Sequence, residues 1–92
     1  MKSLARREVF YAGRVQGVGF RYNARRIAAE FAVTGFVCNL PDRRVRLVVE
    51  GEAAEVERFL ARVRDSMADN IRSESALDHP ATGEFASFDI TS

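Results

Sequence analysis

Between residues 13 and 19 the chain carries three glycines, in Gly13-Arg14-Val15-Gln16-Gly17-Val18-Gly19, and Phe20 and Arg21 follow directly. The stretch separates an apolar, β-prone run from an amphipathic one, so it has to turn a strand into a helix. Glycine permits positive φ, which lets successive main-chain N–H groups converge on one point. The first turn of the following helix adds unpaired donors and the positive end of its dipole. Such a loop is a cradle for an anion, and a phosphate fits it. Arg21 is planar and permanently charged, and from the rim it can clamp two oxygens of the same group.

Ninety-two residues are enough for one two-layer core and too few for a second, so a single domain is expected over residues 1–92. Hydrophobic residues make up 47% and charged residues 29% of the chain, with no apolar run long enough to cross a bilayer and no signal-peptide pattern at the start. The expected address is the cytoplasm and the expected state a monomer. The single cysteine, Cys38, rules out an intrachain disulfide. A net charge of +1 steers the chain toward neither nucleic acid nor anionic lipid, so any affinity for anions has to be local.

Glu8 to Val15 reads as a first strand. From Tyr22 to Val33, Ala24, Ile27, Ala28 and Phe31 recur at helical spacing, and Arg26 and Glu30 are placed to pair on the polar side. Phe36 to Leu40 forms a second strand, Leu40-Pro41-Asp42-Arg43-Arg44 a turn, and Arg44 to Gly51 a third strand. In that third strand Val45, Leu47 and Val49 oppose Arg44, Arg46 and Glu50. A second helix, capped at Gly51, has the stripe Val56, Phe59, Leu60, Val63 and Met67. Strands are expected over Asp69 to His79 and Phe85 to Ile90. The order βαββαβ, with one apolar stripe per helix, packs as a ferredoxin-like α+β sandwich: an antiparallel sheet with two helices on one face. Phe10, Tyr11, Phe20, Phe59 and Phe88 are expected in its core, with Cys38 as a small core residue.

The glycine loop is neither a P-loop nor a dinucleotide fingerprint, since no Lys-Ser/Thr pair closes it and no acidic residue follows at the ribose distance. Asn39 is the second polar feature, an amide in the otherwise apolar run Phe36-Val37-Cys38-Leu40. It can serve as a turn initiator bonded to its own backbone or, beside the cradle, as a holder of water through both its carbonyl and its NH2. His79 has no Cys or His partner at ligand spacing, so no metal site is expected.

Residues 11–22, Tyr11-Ala12-Gly13-Arg14-Val15-Gln16-Gly17-Val18-Gly19-Phe20-Arg21-Tyr22, then Gly35-Phe36-Val37-Cys38-Asn39-Leu40-Pro41-Asp42 and Val45 to Gly51, resemble the acylphosphatase family over the first two thirds of the chain. The resemblance implies hydrolysis of small acyl phosphates to carboxylate and inorganic phosphate without metal or cofactor. It implies that Arg21 and the main-chain N–H groups of Val15, Gln16, Gly17, Val18, Gly19 and Phe20 hold the phosphate, and that Asn39 orients the attacking water. Phosphoryl transfer to water asks mainly for positioning and charge stabilisation, which makes so sparse a set sufficient. Arg43 stands where that family usually has glycine, so a left-handed backbone there would cost about 1 kcal/mol. Ala32 replaces a helix-ending glycine, and Cys38 a basic or small residue. The runner-up is a module that binds acyl or carbamoyl phosphate without hydrolysing it, as at the start of hydrogenase maturation proteins. Binding of single-stranded RNA is disfavoured, because Val45, Leu47, Val48 and Val49 offer no stacking platform.

Overall fold

The computed structural model describes residues 3–91. Its elements run β1 (Leu4–Gly13), α1 (Phe20–Ala28), β2 (Val33–Asn39), β3 (Val45–Glu52), α2 (Ala53–Ser66), β4 (Ile71–His79) and β5 (Phe88–Ile90). The sheet order is β4-β1-β3-β2-β5. The four long strands pair antiparallel, and both helices pack on one face, as in a ferredoxin-like sandwich. β5 adds a parallel edge, with Gly35 opposite Phe88 and Val37 opposite Ile90.

Strand periodicity decides which side chains meet the helices. Val9 faces Leu47 and Tyr11 faces Val45 across β1 and β3, while Val37 faces Leu47 and Asn39 faces Val45 across β2 and β3. This row, with Ala24, Ile27 and Ala28 of α1 and Val56, Phe59, Leu60 and Val63 of α2, forms the core. Tyr11, Phe20, Phe59 and Phe88 lie in it as expected. Phe10 does not. It points to the opposite sheet face, half-buried, with the Arg44 guanidinium carbon 4.8 Å from its ring centre. Cys38 is buried on that same open face, opposite Arg46, rather than among the core residues under the helices.

Several boundaries differ from those expected. β1 spans Leu4 to Gly13 instead of Glu8 to Val15, because the polar residues Arg6 and Glu8 find partners on the open face. α1 starts at Phe20 and ends at Ala28, well before Val33. Glu55 of α2 then accepts the Ala32 N–H at 3.0 Å, tying the connection down where a helix-ending glycine is missing. Glu30, now outside the helix, pairs with Arg62 at 3.1 Å, and Arg26 bonds Asn23 instead. Glu52, and not Gly51, caps α2. The last strand is only Phe88–Ile90, since residues 80–87 first cross the open face without regular structure.

Glu50 organises that crossing. It is 4% exposed, although the alternation of β3 placed it on a solvated side. Its carboxylate accepts from the Thr82 N–H and hydroxyl, both at 3.0 Å, the Gly83 N–H at 2.9 Å and the Arg6 guanidinium at 2.9 Å. Burial by itself would raise this carboxyl's pKa. The four donors outweigh burial and hold it at about 2, below the ordinary 4.5.

Candidate active site

At the other end of β1 the glycine-rich loop leaves the sheet and leads into α1. Arg14 donates its N–H to the Asn70 carbonyl at 2.9 Å, which fixes where the loop leaves the sheet, and buried Val15 anchors the loop to the core. Gly17 and Gly19 take φ of 76° and 83°. A Cβ at either position would meet nothing within 4 Å, so the left-handed backbone requires glycine and lack of room does not. Gly19 is the N-cap of α1, whose first turn has no side-chain cap and no acidic residue. The positive end of that helix is therefore not neutralised by the helix itself. Among the described residues, none of the main-chain N–H groups from Val15 to Gly19 donates to a protein acceptor, and Asn23 closes the first helical bond onto the Gly19 carbonyl at 2.9 Å.

A cavity of about 180 Å³ opens here, lined by Val15, Gly17, Gly19, Phe20, Arg21, Tyr22 and Asn39. It thus brings together most of the residues singled out in the sequence. Arg21, in the first turn of α1, has no ion pair among the described residues. Behind it Phe20 packs on Tyr11 with ring centres 4.9 Å apart, which locks the start of the helix to β1. Asn39 is the last residue of β2, and its side chain lies on the helix-facing side. Among the described residues its Oδ1 is buried without a hydrogen-bond partner, and no carboxylate, imidazole or thiol lines the cavity.

Gln16 and Val18, expected to contribute only their main-chain N–H groups, are not among the residues lining the cavity, and the Val18 side chain is 41% exposed. Gln16 has a side-chain function that its place in the loop did not suggest. Its Nε2 donates to the Leu40 carbonyl at 2.8 Å and to the Arg44 carbonyl at 2.9 Å, the two carbonyls that frame the β2–β3 turn. The turn is closed by Leu40 N–H to Arg44 carbonyl, 2.8 Å, with Arg43 at φ 76°. Gln16 thereby ties the glycine loop to the residue after Asn39. No local sequence signal marks such a contact between positions 24 and 28 residues apart. Tyr22, also on the cavity wall, was likewise unassigned from sequence.

A larger cavity, about 350 Å³, lies over the open sheet face, lined in part by Arg6, Glu8, Arg46 and His79. Its charges are spent on one another: Glu8 meets Arg46 at 2.6 Å and His79 at 3.0 Å, and Arg6 meets Glu50. Volume does not make it the better site. Among the described residues no three His, Cys, Asp or Glu side chains gather as a metal site would require, and no helix is long and apolar enough to cross a membrane.

An acylphosphatase family model matches residues 7–90. The chain belongs to the acylphosphatase family. As a member it is a hydrolase. It is 42% identical over 88 residues to the acylphosphatase of Methylococcus capsulatus, covering 95% of this chain and 96% of that one. With the acylphosphatase of Archaeoglobus fulgidus it shares 47% identity over 57 residues, a stretch covering 62% of this chain and 64% of that relative. The crystal structure of acylphosphatase from Bacillus subtilis superposes with a TM-score of 0.85 at 26% identity, covering 98% of this chain and all of that one. T. kodakarensis HypF aligns over this whole chain at 31% identity and a TM-score of 0.78, through 12% of its own length.

Proposed function

We propose that the protein hydrolyses small acyl phosphates, with the loop amides of residues 15–20 and Arg21 holding the phosphate and Asn39 orienting the water. The observation that supports this is, among the described residues, a five-residue run of undonated main-chain N–H groups at a helix start, beside a cavity lined by Arg21, which has no ion pair, and by Asn39, whose carboxamide oxygen has no partner. An N–H cluster at the positive end of a dipole is matched to a phosphoryl group, whose charge grows on its oxygens as the acyl bond loosens. The Asn39 Oδ1 can accept a hydrogen bond from water and so aim the water oxygen at phosphorus. That oxygen bonds to phosphorus, the bond from phosphorus to the acyl oxygen breaks, and the electron pair leaves with the carboxylate. The water protons pass to phosphate oxygens and solvent. A carboxylate is a good enough leaving group to depart unprotonated, so a site without an acid or base side chain suffices.

Phosphate release from benzoyl phosphate in the presence of EDTA tests the assignment, comparing the unmodified protein with Arg21→Ala and Asn39→Ala. Each substitution is expected to lower turnover by about a hundredfold or more, the scale for removing one transition-state donor. Full activity in either variant refutes the role given to that residue. The likeness to a segment of HypF supports a second reading, a module that binds acyl or carbamoyl phosphate without turnover. That module would show affinity and no product.

A further inference from the structure

Four large apolar side chains are exposed among the described residues: Leu4, Val18, Tyr22 and Leu77. Scattered exposed apolar groups are ordinary, but one of these four, Tyr22, lines the small cavity at the start of α1. Tyr22 lines the wall beside Arg21 and is 63% exposed, and Val18 stands on the loop between the two left-handed glycines. The Tyr22 ring is also held: the Arg25 guanidinium carbon lies 5.4 Å from its centre, a cation on one face that leaves the other to a ligand. Arg25 itself has no ion pair among the described residues, so its charge is not diverted elsewhere.

Hydrolysis at phosphorus places the leaving carboxylate opposite the attacking water. With water at buried Asn39, the acyl group is directed toward the exposed mouth, where Tyr22 stands. We infer that Tyr22 forms an apolar acyl subsite that selects acyl phosphates bearing an aromatic or bulky apolar acyl group. The inference presupposes the acyl phosphate hydrolysis proposed above. A flat acyl group covers the free face of the ring and sheds water from both surfaces, whereas an acetyl group leaves most of the ring wet. Tyr22 is then a residue of specificity and not of the chemical step.

The test is the ratio of kcat/KM for benzoyl phosphate to that for acetyl phosphate, measured in the unmodified protein, Tyr22→Ala and Tyr22→Phe. A ratio that falls by about tenfold in Tyr22→Ala and holds in Tyr22→Phe supports the subsite, the scale being that of one apolar contact surface in discrimination. An unchanged ratio in Tyr22→Ala overturns it, as does an equal fall in Tyr22→Phe, which would assign selection to the hydroxyl. Tyr22 is largely exposed, so loss of folding is not expected, and circular dichroism of each variant checks that. If the unmodified protein hydrolyses neither compound, the proposed function fails and the subsite with it. Hydrolysis of both with a ratio indifferent to Tyr22 removes the subsite alone.

Discussion

Two places in the chain combine main-chain N–H groups with an arginine, and they differ in whether an acidic side chain stands beside them. Over the open sheet face the Thr82 and Gly83 amides and Arg6 converge on the Glu50 carboxylate, and the result is a buried, satisfied clamp on residues 80–87. At the start of α1 the N–H groups of Val15 to Gly19 have no protein acceptor among the described residues, and the adjoining cavity, which Arg21 helps to line, has no acidic side chain among its lining residues. On the function proposed above, the same donor chemistry gives stability where the anion is covalently part of the chain and readiness for a ligand where it is not. Substitutions at the two places should therefore separate activity from folding.

The largest separation is expected at Arg21 and Asn39. Their alanine variants should lose about a hundredfold or more in turnover, while the melting temperature stays or rises, because each removes a desolvated polar group or a cation at the wrong end of a helix dipole. A melting temperature that fell together with activity would break the comparison at this site.

Glu50→Gln should do the reverse. The folded carboxyl sits near 2 against an ordinary 4.5, so its contribution is fully present above about pH 4.5 and is lost as the pH falls toward 2. The variant should lose roughly 2 kcal/mol at neutral pH, and the difference should shrink on acidification through that window. Urea unfolding at pH 7 and pH 3 measures it, and phosphate release should remain near the unmodified value. A loss as large at pH 3 as at pH 7 would show that the anion is not what holds the clamp.

Gln16→Ala sharpens the comparison, since it frees the Asn39 turn from the loop while leaving every loop amide in place. Turnover should drop by roughly tenfold, the scale of a modest misplacement of a reacting group, with the inhibition constant of inorganic phosphate little changed. Parallel loss of both would mean that Gln16 supports the cradle itself. The smallest effect is expected at Arg43, which holds φ 76° with a side chain. Arg43→Gly should gain up to about 1 kcal/mol in unfolding free energy by relieving that backbone, with turnover unaltered.

The regular elements and the left-handed glycine loop were legible because both are written in local spacing. Ala24, Ile27 and Ala28 announce a helix face, and Gly17 and Gly19 announce a backbone that ordinary residues avoid. What stayed hidden depends on partners far along the chain. Glu50 looked solvated because its alternation within β3 says nothing of residues 80–87, which return over it without any periodic signal. Phe10 looked like core for the same reason: strand alternation sorts residues into two faces and does not say that both will be covered. The parallel edge of β5 depends on that return path, and the Gln16 bonds depend on how β1 and β2 are set side by side in the sheet.

The most direct measurement of the central claim is a titration of the 15N-labelled protein with inorganic phosphate, following backbone amide shifts. If the loop is the anion site, saturable shifts concentrate on residues 15–20 and Arg21 while Thr82 and Gly83, already donated to Glu50, stay still. Shifts centred on Thr82 and Gly83, or none at residues 15–20 at any phosphate concentration, would contradict it.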